Sequence, residues 1–239
     1  MKANNYLDPD ELLPLLMYGL QRASTNYINQ LIVSNYSSAK FFNDHSSRFL
    51  PTHKHFRLYN DKFMIPSKEY YNSYYYNDFK AFREHVERLA NTEIRKFVIV
   101  IKHPYSWYLS FTKHAKKNGF ELNKKGFNPH FIWDYNHFYL KWLKFKSESP
   151  EEIEIVKYED AICDVPKFIA DFGRSIRRNP NSELIHNPST VFMSKKFTNK
   201  KRKFYSEQRY MNLVLEKDKV AICEILDKKI LEFYNLEFK

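Results

Sequence analysis

The chain has 239 residues, 43% hydrophobic and 18% aromatic, enough for a sizeable core in one domain and too apolar for a disordered chain. Its 39 Lys and Arg outnumber 28 Asp and Glu, a formal charge of +11 that points to an anionic partner: nucleic acid, an anionic membrane surface or a small polyanion. No apolar run approaches the roughly 20 residues that span a bilayer, residues 1–10 do not read as a signal peptide, and Cys163 and Cys223 form no CxxC pair, so reduced thiols in the cytoplasm are expected.

Leu12 to Tyr18 is an apolar run that predicts a buried strand, and Gly19 ends it. A polar turn carrying Arg22 follows, and then Tyr27, Ile28, Leu31 and Ile32 recur at helical spacing. Ser34 to Asn77 reads as irregular. Residues 78–90, with Phe79, Phe82, Val86 and Leu89, predict an amphipathic helix. Lys96 to Ile101 ends in Phe-Val-Ile-Val-Ile, the continuous apolar run of a buried parallel strand. Pro104 suits the first turn of a helix over 105–116. Residues 130–146 predict another helix, Ile153 to Val156 a short strand, and Pro166 to Ile176 a further helix. Residues 179–205 read as a polar, basic loop and 206–233 as one long helix. This alternation predicts a three-layer α/β/α domain with a central parallel sheet over residues 1–239.

A strand, a tight turn and a helix N-terminus together make an anion site, because free amides and the helix dipole converge there. Arg22 adds a permanent charge, and Thr25 and Asn26 add side-chain donors. The Walker pattern G-x-x-x-x-G-K-[S/T] is absent. Arg22-Ala23-Ser24-Thr25-Asn26-Tyr27 resembles instead the 5′-phosphosulfate loop of sulfotransferases, which use 3′-phosphoadenosine 5′-phosphosulfate (PAPS). The family form is roughly Lys/Arg-Ser-Gly-Thr-Asn/Thr-Trp/Tyr, and Ser24 stands here at the family glycine.

Further segments extend the resemblance in the family's order. Lys102-His103-Pro104 with Ser110 resembles the 3′-phosphate motif, Arg-x-Pro followed by Ser eight residues after the Arg. Lys102 leaves the end of a buried strand, where open α/β sheets bind ligands, but a lysine lacks the bidentate fork of arginine. Val156-Lys157-Tyr158-Glu159-Asp160 resembles the segment whose tyrosine lies near the adenine. Lys200-Lys201-Arg202-Lys203 looks like the basic loop that closes over the 3′-phosphate in heparan-type members. The resemblance implies a P-loop-like sulfotransferase fold. It implies that Ala23, Ser24, Thr25 and Asn26 cradle the 5′-phosphate and that Arg22 bridges it to the transferring sulfuryl group. It implies 3′-phosphate contacts from Lys102, Ser110, Lys200 and Arg202, with Tyr158 beside the base, adenosine 3′,5′-bisphosphate (PAP) as product, and no metal.

The family takes its general base from a segment after the first helix, which is Thr52-His53-Lys54-His55-Phe56 here. His55 is the candidate base and His53 the second. In an extended segment these two share a face and Lys54 points away. Tyr59, Tyr70, Tyr71 and Tyr74 to Tyr76 are expected beside the acceptor cleft, where aromatic faces stack on sugars; Glu69 and Glu84 are reserve candidates for the base. The expected function is sulfuryl transfer to a hydroxyl on a small molecule or glycan. A small-molecule kinase, with Asp160 holding the metal, and a basic nucleic-acid-binding protein are the alternatives, and no nucleic-acid partner is expected.

Overall fold

The computed structural model describes residues 11–58, 74–119, 127–191 and 195–236. In chain order these form β1 (Leu13–Tyr18), α1 (Thr25–Asn35), β2 (Ala39–Phe41), α2 (Phe79–Ala90), β3 (Lys96–Ile101), α3 (Pro104–Lys117), α4 (Pro129–Glu148), β4 (Ile153–Lys157), α5 (Tyr158–Cys163) and α6 (Val165–Ile176). Then come a two-stranded antiparallel pair, β5 (Thr190–Val191) and β6 (Lys195–Lys196), α7 (Asn199–Ser206), a 3-10 turn (Arg209–Leu213), α8 (Glu216–Ile225) and α9 (Lys228–Tyr234). Glu69, Tyr59, Tyr70 and Tyr71 lie outside the described residues.

The first four strands make one parallel sheet in the order β2-β1-β3-β4. β1 and β3 are buried at every position, which is why both read as continuous apolar runs. The two-residue period of a strand then divides their side chains between two cores. Leu16, Tyr18, Phe97 and Ile99 join the aromatic core with Phe82, Trp142 and Phe145 from α2 and α4. Leu15, Met17, Val98 and Val100 face the other way, onto Ile28 and Leu31 of α1 and Ile169 and Phe172 of α6. Helices therefore cover both faces of the sheet, as the expected three-layer α/β/α arrangement requires.

The chain leaves β1 for β2 on one side and returns to β3 on the other. That reversal opens a crevice at the carboxyl ends of β1 and β3. Gly19 is required at its edge: a Cβ there would lie 2.8 Å from the Val100 carbonyl and 2.8 Å from Thr25 Cγ2.

The expected elements differ from the fold at several places, α5 and the β5–β6 pair among them. β2 lies inside the stretch that reads as irregular, because only three residues pair with β1, too few to show a period. α7 forms within the expected basic loop, capped by Thr198, whose side chain accepts from the Lys201 amide. The long helix expected over 206–233 is broken at Gln208, at the extended Val214 and Leu215, and at Leu226. Gln208 is left-handed (φ 50°), and Leu226 leaves α8 extended, where the Asp227 amide donates to Asn136 Oδ1 at 2.8 Å and its carboxylate caps α9.

Candidate active site

After β1 the chain turns tightly. The Ala23 amide donates to the Leu20 carbonyl at 3.0 Å, so it is engaged within the turn. Arg22 and Ser24 are both left-handed, each with φ 72°. Ser24 stands where the family has glycine, and this backbone is the one that glycine adopts without steric cost. Its hydroxyl does not cap α1 but shares a hydrogen bond with Tyr158. Thr25 and Asn26 are the first residues of α1, so their amides have no intrahelical partner, and no acidic residue sits in that first turn.

These groups open into a cleft of about 490 Å³. Arg22, Arg48, Lys54, Lys102 and Lys201 line it together with His53, His55 and His114, and no Asp or Glu is among its described lining residues. Asp160 lines a separate cavity beside β4 and α6.

Lys102 and Ser110 meet as their spacing predicts. Lys102 Nζ donates to Ser110 Oγ at 3.0 Å and to the Tyr205 hydroxyl at 3.2 Å, and it sits over the Tyr205 ring (4.4 Å) and the Tyr158 ring (5.5 Å). Burial lowers its pKa, and the Tyr205 hydroxyl and Glu159 oppose that. Glu159 is itself buried, and its carboxyl is pushed up to about 7 by burial against the pull of Lys102. Tyr158 lies between the turn after β1 and Lys102, joined to Ser24 at one end and facing the Tyr205 ring at the other.

Because residues 199–206 are helical, Lys200, Lys201 and Arg202 point in three directions. Lys201 lines the cleft, and Tyr205, one turn on, does the same. Lys200 is exposed and outside the lining. Arg202 turns to the Tyr27 hydroxyl (2.9 Å), the Pro188 carbonyl (2.8 Å) and the Asn187 side chain, and stacks on Phe197. Of this segment, Lys201 and Tyr205 line the cleft, and Lys200 and Arg202, of which 3′-phosphate contacts are expected, do not.

The histidine segment is coiled, not extended. The His53 amide donates to the Leu50 carbonyl and the Phe56 amide to the His53 carbonyl, both at 2.9 Å. The coil corrects the expectation for Lys54, which faces the cleft and donates to Asn26 Oδ1 at 2.6 Å. It also gives the two histidines different chemistry. His55 Nδ1 lies 2.6 Å from the Gly19 carbonyl, which can only accept, so this nitrogen carries the proton and Nε2 is left as the acceptor. His53 Nδ1 accepts from the His55 amide at 3.1 Å, so in the neutral ring its proton is on Nε2. Burial holds His55 well below the ordinary imidazole pKa, against the opposing effect of the Gly19 carbonyl. Burial, with His45 and Lys54 adding to it, takes His53 down to about 4. Both rings are neutral at pH 7.

The described tyrosines of the 74–76 cluster do not border this cleft. Tyr76 is buried, packs on Phe82 and shares a hydrogen bond with His85; Tyr74 packs on Phe56; Tyr75 is exposed beside Lys141. Sequence reasoning also missed Arg48, Lys54 and Tyr205, and within the basic segment it singled out Lys200 and Arg202 instead of Lys201. The signal for Lys54 was its place between the two histidines, and that for Tyr205 its spacing of four from Lys201 in a segment that forms a helix.

Comparison with protein-family models, with curated proteins and with solved structures gives no match to this chain. Among the described residues no helix is long and apolar enough to cross a membrane.

Proposed function

We propose that this chain is a PAPS-dependent sulfotransferase of the P-loop-like fold, moving a sulfuryl group to a hydroxyl acceptor. One observation carries the reading: a single cleft without described carboxylates has two anion-handling ends. Arg22, Lys54 and the N-terminus of α1 make one end, and Lys102, Ser110 and Lys201 make the other. A nucleotide bearing a 5′-phosphosulfate and a 3′-phosphate needs both.

In this mechanism His55 Nε2 takes the proton of the acceptor hydroxyl as its oxygen bonds to sulfur. The bond from sulfur to the 5′-phosphate oxygen breaks in line, and PAP leaves. Arg22, Lys54 and the α1 amides meet the charge that builds on the leaving phosphate, where preorganised donors act most strongly. A His55 held neutral in the free protein is ready to accept a proton, and the anionic co-substrate beside it raises its basicity. Lys102, Ser110, Lys201 and Tyr205 hold the 3′-phosphate. With Tyr76 in the core and Tyr74 packed against it, the choice of a carbohydrate acceptor rests on the family resemblance.

A kinase would need an acid at the cleft, and Asp160 faces another cavity. A nucleic-acid binder would need a continuous basic surface, whereas these cations converge on one cleft. Thermal unfolding with PAP, ADP, AMP, magnesium ATP and duplex DNA separates the readings. PAP at 100 times its Kd stabilises the protein by about 2.7 kcal/mol and exceeds ADP and AMP at the same concentration. Equal shifts for PAP and AMP would remove the 3′-phosphate assignment, and a dominant ATP shift would favour the kinase.

A further inference from the structure

His55 is fixed on three sides. Its ring meets the Gly19 carbonyl, its amide meets His53, and its own carbonyl accepts from Arg57 Nη1 at 2.8 Å. Arg57 is in turn clasped by Asp134 of α4: Nε reaches Oδ1 at 3.0 Å and Nη2 reaches Oδ2 at 2.6 Å, and neither side chain is exposed at all. Burying two charges offsets most of their attraction, and apolar residues of similar volume often serve stability as well or better. The pair supplies something apolar residues lack, a donor aimed in one direction. The fork that clasps Asp134 leaves Nη1 pointing at the His55 carbonyl.

α4 also reaches the other end of the cleft. Tyr135, next to Asp134, donates to the Lys102 carbonyl at 2.7 Å, and Tyr139 donates to the Val100 carbonyl at 2.9 Å. One rigid helix therefore grips the histidine segment through residue 134 and the end of β3 through residue 135.

We propose that Arg57 and Asp134 are positioning residues for His55, and that α4 sets the distance between His55 and Lys102. The proposal rests on the reading of His55 as the base. Neither residue lines the cleft, so both act through the main chain of the loop.

The decisive variant is the paired replacement Arg57→Met with Asp134→Leu in the full chain, which removes both charges and orphans neither. We expect cooperative unfolding and the PAP-induced thermal shift to persist, while PAPS turnover, read as PAP release, falls about 10²-fold in kcat with little change in KM, the cost of a base displaced by about an ångström. Nitrogen NMR of the imidazoles adds a readout that a structural role would not move: the His55 Nδ1–H signal shifts or exchanges faster, and the ring nitrogen signals of His103, whose Nδ1 accepts from the Tyr105 amide, stay. A folded double variant with wild-type kcat and an unchanged His55 signal overturns the proposal. If the double variant does not fold, Arg57→Lys keeps the charge without the fork, and wild-type values there overturn it equally. Loss of fold in both assigns the pair to the fold alone. The NMR arm needs no turnover, so a wild-type protein that fails to bind PAP ends the sulfotransferase reading and still leaves the positioning of His55 decided by its own spectrum.

Discussion

Lys102 and Arg22 are cations of one cleft, yet Lys102 is 1% exposed and Arg22 stands in solvent. Lys102 sits at the end of a buried strand, held by Ser110 and Tyr205 and already stripped of water. Arg22 sits on a left-handed turn with water around it. A desolvated lysine with a lowered pKa destabilises the free protein, and an incoming phosphate relieves that strain. An exposed arginine contributes little to stability. It acts most strongly once a ligand excludes water and charge builds in the transition state. Under the proposed function, the Lys102 end is expected to govern binding and the Arg22 end turnover.

The comparison can be broken experimentally, and the sharpest test lies at the reacting end. His55→Ala lowers kcat by roughly 10²–10⁴-fold, the range for a lost general base, and leaves PAP affinity almost intact. His53→Ala costs less, because its Nδ1 is engaged by the His55 amide. Steady-state kinetics of both variants decide it; a dead His53→Ala beside an active His55→Ala reverses the assignment.

Arg22→Ala comes next, with kcat down roughly 10²–10³-fold, as for one lost charge-stabilising donor. Its melting temperature stays at the wild-type value, since no packing is lost. Normal turnover in this variant removes the loop assignment and the contrast with Lys102 together.

Lys102→Met shows the opposite pattern. PAP affinity, measured by calorimetry, falls by roughly 10–100-fold, the worth of a hydrogen bond to a charged group. The ligand-free protein melts at the same temperature or higher, because a buried charge is gone. Undiminished PAP affinity would make Lys102 a structural lysine only.

Ser24 gives the smallest effect. Ser24→Gly relieves a left-handed serine, a gain of about 1 kcal/mol that the lost hydrogen bond to Tyr158 and a more flexible unfolded chain partly offset. Ser24→Ala keeps the steric cost and loses the bond, so it melts below Ser24→Gly. The reverse order by calorimetry would show that the extra freedom glycine gives the unfolded chain outweighs the left-handed strain.

The parts of this site that could be read from the sequence are local. Lys102 and Ser110 meet because a strand end and one α-helix fix the path between them. Gly19, Arg22 and Ser24 mark a tight turn because few residues tolerate one. The alternation of apolar runs and helical periods decided the parallel sheet, because a strand buried on both faces has no polar position.

Where reading failed, the answer lay in contacts distant along the chain or in a single helical turn. Whether Lys200, Lys201 or Arg202 faces the cleft depends on α7 being a helix, and its sequence carries no apolar stripe to announce that. Tyr76 went into the core and Tyr74 against it because their rings pack on Phe82 and Phe56. The sequence by itself determined β1, α1, α2, β3, α3, α4, β4, α6 and the tight turn after β1, since each follows from local pattern over a few residues. Only the tertiary structure decided that Lys54 enters the cleft, that His55 rather than His53 leaves Nε2 as an acceptor, and that Arg57 meets Asp134 across 77 residues. Those outcomes depend on which polar groups lose their water together, and a buried charge must find its partner wherever the fold brings one within reach.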